Sequence, residues 1–370
     1  MAYSDGQAHD VALENHRFPC TTCGADMRFS PDQSQLVCDH CGASEVLEIG
    51  GATGPHELDY LSAIQDLLPQ QDIEETRISE CPNCGAHVEF DAEVHATDCP
   101  FCATPVVTDT GLHRQIKPRG LLPFALSEPS AHDAMNDWLG GLWFAPNGLK
   151  EYARKGRKLS GIYVPYWTFD ADTKSQYSGM RGDDYYVTKT VTRNGKTQQV
   201  RERRTKWRNK SGRVARFFDD VLVLASTSLP RKYTEGLEPW DLQAMEPYVP
   251  DYIAGFRAES YTVEIEDGFR TARGYMDNVI LRDVKFDIGG DRQRVHDVQT
   301  QISNVTFKHV LLPVWMAAYK YRGKTYRFVV NGRSGRVQGE RPWSRWKIAF
   351  AILAGVLIAG AVGYIASEYQ

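Results

Sequence analysis

Lysine is missing from the first 110 residues, where 20 Asp and Glu face only Arg17, Arg28 and Arg77. That end is net −17, while the remaining chain is net +13 and the whole is −4. A surface this acidic repels phosphate, so it does not bind nucleic acid in the usual basic manner; it is expected to bind a protein or to serve as a rigid scaffold. Cysteine is absent outside CxxC pairs: all eight fall in such pairs, leaving no thiol for a nucleophile. The opening MAYSDGQAHDVALENHRF has no basic segment followed by an apolar one. The expectation is no secretory signal peptide and a reducing compartment, where paired thiolates hold metal rather than form disulfides.

Catalytic signatures are missing as well. There is no GxSxG, HExxH or GxGxxG. Two GKT tripeptides, Gly195-Lys196-Thr197 and Gly323-Lys324-Thr325, have Thr190 and Ala318 where a phosphate loop requires glycine. They read as hairpin turns. Asp183-Asp184 and Asp219-Asp220 read as turn residues, not as acid–base pairs. No catalytic or organic-cofactor-binding residue is assigned, and the expectation is that the chain is not an enzyme.

The cysteines are the strongest positive signal. Cys20, Cys23, Cys38 and Cys41 are spaced C-x2-C-x14-C-x2-C, and Cys81, Cys84, Cys99 and Cys102 repeat that spacing 61 residues later. Gly24/Gly85, Ala25/Ala86 and Phe29/Phe90 coincide in the repeat. Two residues between cysteines let one tight turn aim both thiolates at one ion, and the following glycine allows φ > 0. Four thiolates about 2.3 Å from the metal make a closed tetrahedral site, which is structural and not hydrolytic. The expectation is two structural Zn2+ ions, with iron as the alternative that four sulfurs also fit. Pairing across the two units, one CxxC from each, stays open beside pairing within a unit. His16, His40, His87 and His95 lie nearby and read as surface or outer groups. A unit of this size has little core, so its folding free energy comes largely from the metal.

The expected fold class is α+β: two small zinc ribbons, a β-rich α+β central domain and one C-terminal transmembrane helix. The expected boundaries are a disordered 1–18, ribbon 1 at 19–50, a helical linker at 51–79, ribbon 2 at 80–107, the central domain at 108–342, an anchor at 343–367 and a tail at 368–370. Helices are expected from about His56 to Leu68, from Ser130 to Leu142, from Pro146 to Arg154, and from Thr262 to Ile288, the last weakened by Gly268 and Gly274. Residues 161–171 read as a buried strand and 218–226 as another. Asn194-Gly195 reads as the turn of a hairpin. Strands return from Val295 to Gly339, divided by turns at Arg322-Gly323-Lys324 and Asn331-Gly332-Arg333.

Residues 348–366 carry no charge. At 1.5 Å per residue they span roughly 28 Å, so they read as a membrane span. Trp343, Trp346, Tyr364 and Tyr369 flank it, and Arg341, Arg345 and Lys347 precede it. The expectation is a single-pass cell-membrane protein with its N-terminal domains cytoplasmic. Ala351, Gly355, Ala359 and Gly363 form a small-residue face that suits a helix-mediated homo-oligomer. Residues 189–216 carry ten Lys and Arg besides Lys189 against Glu202 alone. That stretch suits anionic lipid contact, nucleic acid, or a solvated hairpin face.

With these residues laid out, the chain resembles a family of bacterial paired-zinc-ribbon membrane proteins. Their genes often lie beside phage-shock and flotillin-like (SPFH) genes. The resemblance runs from about Cys20 to Ser344 and rests on both Cys sets, LLPF (121–124), GIYVPYW (161–167), LLPVW (311–315) and VVNGRSGRVQGERPWS (329–344). It implies an adaptor that places a protein partner, such as a phage-shock or SPFH-type protein, at the membrane under envelope stress. Members are often catalogued as similar to the primosomal replication-restart helicase, but this sequence has no motor motif. That leaves a tethered nucleic-acid-binding factor as the alternative function.

Overall fold

The computed structural model describes residues 18–47, 55–83, 85–89, 96–99, 101, 104–107, 112–145, 159–193, 196–321, 324–340 and 344–368. The expected disordered N-terminus up to residue 17 and the expected helix from Pro146 to Arg154 lie outside these residues. The structure is sheet-rich, with five helices among the described residues.

Chain order begins with β1 (Arg28–Ser30), β2 (Gln35–Val37) and β3 (Ser44–Val46), an antiparallel sheet of its own. The next elements are β4 (Leu58–Asp59) and α1 (Tyr60–Ile64), capped by the Asp59 carboxylate. The expected helix from His56 to Leu68 is therefore shorter, because Leu58 and Asp59 pair with Phe307 and Thr306 of the main sheet instead. Then β5 (Ile73–Glu80) pairs with β6 (His87–Glu89) and with β9 (Leu112–Ile116), while β7 (Ala96–Asp98) pairs with β8 (Pro105–Val107). Strands thus occupy the end of the segment expected to be a helical linker.

β10 (Gly120–Leu121) and α2 (Glu128–Gly140) lead into two very long strands, β11 (Ser160–Arg193) and β12 (Lys196–Leu224), of 34 and 29 residues. Their register ends on Arg193↔Lys196, the two-residue connection that Asn194-Gly195 predicts. After α3 (Arg231–Glu235), β13 (Glu246–Pro247) and β14 (Arg257–Ala258) comes α4 (Ile265–Ile288). It is followed by β15 (Arg292–Tyr321), β16 (Lys324–Asn331), β17 (Val337–Gly339) and α5 (Arg345–Glu368). The main sheet has nine strands with the path β12-β11-β15-β10-β13.

The run from Ile162 to Ala171 is buried on both faces because different layers cover each face. Tyr163 points into a core with Phe29, Leu121, Phe124, Leu311 and Trp315. Its neighbours Ile162, Val164 and Tyr166 point the other way, toward Cys81, Cys99, Phe101, Leu312 and Val314. Farther along, Trp167 and Phe169 meet α4. On α4 the buried residues Gly268, Ala272, Met276, Ile280, Val284 and Ile288 recur every four residues, one continuous stripe. The helix forms across Gly268 and Gly274. A Cβ at Gly268 would stand 2.7 Å from Trp167 Cδ1, so the glycine lets the helix approach the sheet.

The C-terminal anchor is not supported. α5 forms over the apolar run, but among the described residues no helix is long and apolar enough to cross a membrane. The start of α5 is tied to the body: the Ser344 N–H donates to Phe144 O at 2.8 Å and Lys347 Nζ to Ala145 O at 2.9 Å. The transmembrane segment expected at 343–367, with its apolar core at 348–366, is therefore not found among the described residues.

Candidate metal centre

Two knuckles build the first site. The Gly24 N–H donates to Cys20 O at 2.8 Å, and the Cys20 N–H donates to Ala25 O at 2.8 Å. The second knuckle repeats this with Gly42 to Cys38 O and Cys38 to Ala43 O, both at 2.9 Å. Gly24 and Gly42 share φ +76°, the left-handed region that a side chain would strain. The hairpin of β1 and β2 carries the second knuckle back over the first.

The four sulfurs converge. Cys20 and Cys41 lie 3.6 Å apart at Sγ, Cys23 and Cys38 3.5 Å apart, and all four Sγ atoms lie within 4.8 Å of one another. A tetrahedron with bonds of about 2.3 Å has edges of about 3.8 Å, so this donor set fits one tetrahedral metal ion. None of the described cysteines is in a disulfide. The electrostatics suit a cation. The backbone N–H of Thr22 draws the Cys20 thiol down to about 7, chiefly against burial. At Cys41 the Ala43 amide favours the thiolate, yet the Cys23 thiol beside it and burial push it up to about 12. Like charges this close disfavour one another's ionisation, and a positive ion among them would favour all four thiolates.

The surroundings are acidic on the outside and apolar underneath. Asp26, Asp32 and Asp39 are exposed, the last paired with Arg28 at 2.7 Å. Underneath, Cys20, Met27, Phe29, Leu36 and Cys38 join the core that holds Tyr163. The Phe29 N–H donates to Ala254 O at 2.9 Å, and its ring meets Tyr252 edge-on at 5.3 Å. This ribbon is fastened to the body.

The second unit repeats the backbone. The Cys81 N–H donates to Ala86 O and the Cys99 N–H to Thr104 O, both at 2.8 Å, and Gly85 donates to Cys81 O with φ +70°. Cys81 and Cys99 are buried on the opposite sheet face from the first ribbon. Cys84 and Cys102 lie outside the described residues. His40 is exposed, and His87 gives its backbone O to the Ser260 N–H at 3.3 Å. His16 and His95 lie outside the described residues.

Sequence reading missed two buried polar groups. Lys308, on β15, reaches Asp220 at 2.8 Å, Glu57 at 3.2 Å and Asp170 at 3.5 Å. Burial opposes its charge, but the three carboxylates raise its pKa above the ordinary lysine value. Asp220 is therefore no turn residue. It sits at φ +50° in a bulge of β12, opposite Asp170. Glu259 is fully buried, holds Ser226 at 2.8 Å, and is pushed up to about 8 by burial. Only contacts from distant segments reveal these groups. Asp183 and Asp184 are likewise strand residues, paired with Arg208 and Arg292 respectively.

Neither a family model nor a solved structure matches the chain. The chain is similar to the uncharacterized protein YdjG of Bacillus subtilis (strain 168), 27% identical over 354 residues that cover 91% of this chain and 94% of that protein.

Proposed function

We propose that this chain is a non-enzymatic scaffold whose acidic zinc ribbons hold a protein partner. The observation that carries the reading is the closed set of Cys20, Cys23, Cys38 and Cys41, whose sulfurs all lie within 4.8 Å. Four thiolates fill the coordination of Zn2+ and leave no position for substrate or water, so the ion shapes a surface and does no chemistry. The repeated knuckle backbone at Cys81 and Cys99 supports a second ion held by Cys81, Cys84, Cys99 and Cys102. Each zinc–tetrathiolate centre adds about two negative charges to an end already net −17. Such a surface selects a basic protein face. The family resemblance directs the search for that partner to phage-shock and SPFH-type proteins.

The test is a pull-down with purified phage-shock and SPFH-type candidates, comparing wild type with Asp26→Lys, Asp32→Lys and Asp39→Lys combined. Loss of a partner with zinc content unchanged supports the reading. A partner retained by this variant and by Cys20→Ser contradicts it.

A further inference from the structure

Beyond Gly182 the third strand ends and the hairpin continues, its base still held by Asp291 and Arg292 at Asp184. β15 pairs with β11 only as far as Gly182↔Arg292, whereas β11 and β12 stay paired from Asp183↔Lys206 to Arg193↔Lys196. The result is a two-stranded arm with 11 residues in each strand. At about 3.3 Å per residue it is roughly 36 Å long. Tyr185, Tyr186, Val191 and Val200 are exposed on it. A bare two-stranded hairpin is marginally stable in water. An arm this long contributes nothing to a core, and its use lies in what it touches.

Its chemistry is that of a polyanion binder. Between Tyr185 and Thr205 six Lys and Arg stand against Glu202 alone. The register distributes them over both faces: Thr188↔Arg201 and Tyr186↔Arg203 on one, Lys189↔Val200 and Tyr185↔Arg204 on the other. Some of this charge is committed, since Arg203 reaches Asp184 at 3.5 Å and Arg204 reaches Glu202 at 3.3 Å. The Arg204–Glu202 pair is exposed and therefore weak, whereas Asp184 is only 13% exposed and is shared with Arg292.

The two-faced charge discriminates between partners. A planar anionic bilayer touches one face and leaves the other in water. A groove touches both. The major groove of B-DNA, about 12 Å wide, admits a two-stranded β-ribbon and has phosphates along both walls. The RNA major groove is too deep and narrow for such entry. Single strands need open aromatic faces for stacking, and Arg201 already lies over the Tyr186 ring at 5.1 Å. We infer that the arm binds duplex DNA by entering a groove and neutralising phosphates on both sides. The acidic ribbons repel phosphate, so the two functions occupy opposite kinds of surface and are separable.

Fluorescence anisotropy of the full chain with a short mixed-sequence DNA duplex over a salt series tests this, with phosphatidylserine vesicles as comparison. Affinity is expected to fall linearly with salt on a log–log plot. Combining Lys189→Ala, Arg201→Ala, Arg203→Ala and Arg204→Ala is expected to weaken it at least ten-fold and to shallow the slope by about 3 to 4. Replacing the three arginines by lysine is expected to keep the slope. Ribbon charge reversal is expected to leave DNA binding intact. The inference is overturned if wild type shows no salt-sensitive duplex binding, if the quadruple alanine variant binds as wild type does, or if the arm's charges govern vesicle binding alone. Should the quadruple variant lose its circular-dichroism signature, Arg201→Glu alone carries the comparison.

Discussion

Lys308 Nζ lies 2.8 Å from Asp220 Oδ1, and the Asp220 N–H donates to Asp170 Oδ1 at 2.5 Å. The lysine thus compensates a carboxylate that a bulge has turned inward. Lys308 and Asp170 side chains are 8% and 4% exposed, so neither is hydrated if the other is lost. Lys308→Met leaves buried negative charge unpaired and is expected to cost about 3–5 kcal/mol. Adding Asp170→Asn to Lys308→Met is expected to recover part of that loss. Urea unfolding of the three variants checks both statements.

His309 is the clearest source of pH dependence. It is buried beside Trp167, with ring centroids 5.0 Å apart, and its Nδ1–H donates to Ile116 O at 2.8 Å. Burial lowers its pKa to about 4 from the ordinary 6.5. The unfolded state therefore binds more protons than the folded state between those values. Its contribution to stability is complete above about pH 6.5 and is lost as pH falls toward 4. His309→Gln is expected to flatten that part of a stability-versus-pH curve. An unchanged curve would show that the imidazole is not the titrating group.

Phe29 is expected to be the hinge pin of the first ribbon. It is 1% exposed and packs on Tyr252 and Phe256. Phe29→Ala is expected to destabilise by roughly 3–5 kcal/mol. Because its metal ligands stay in place, zinc stoichiometry is expected to stay unchanged. Chemical denaturation together with metal analysis separates the two effects.

Gly268 makes a sharper test of the helix–sheet contact. A Cβ there would meet the Trp167 ring at 2.7 Å, whereas at Gly274 nothing lies within 4 Å. Gly268→Ala is expected to destabilise by about 1–3 kcal/mol. Gly274→Ala is expected to stabilise by a few tenths to 1 kcal/mol. Opposite signs at two glycines of one helix are read from a pair of thermal melts.

Much of this was legible from local signals. The first metal site followed from Cys spacing, because a CxxC knuckle encodes its own geometry. The arm's register followed from Asn194-Gly195, and α4 began at Ile265, three residues from the expected Thr262. What the residues did not reveal depends on distant partners. Lys308 meets Glu57 from 251 positions away and Asp170 from 138. The helix expected from His56 shortened because Leu58 found a strand partner in Phe307. The apolar run after Lys347 read as an anchor from its composition, whereas among the described residues no helix is long and apolar enough to cross a membrane.

The most direct measurement is zinc analysis and X-ray absorption on the purified full chain. The account predicts two zinc ions per chain, each surrounded by four sulfurs at about 2.3 Å with no nitrogen or oxygen ligand, and loss of one ion in Cys20→Ser. Iron, substoichiometric metal, or oxygen or nitrogen in the first coordination sphere would contradict it.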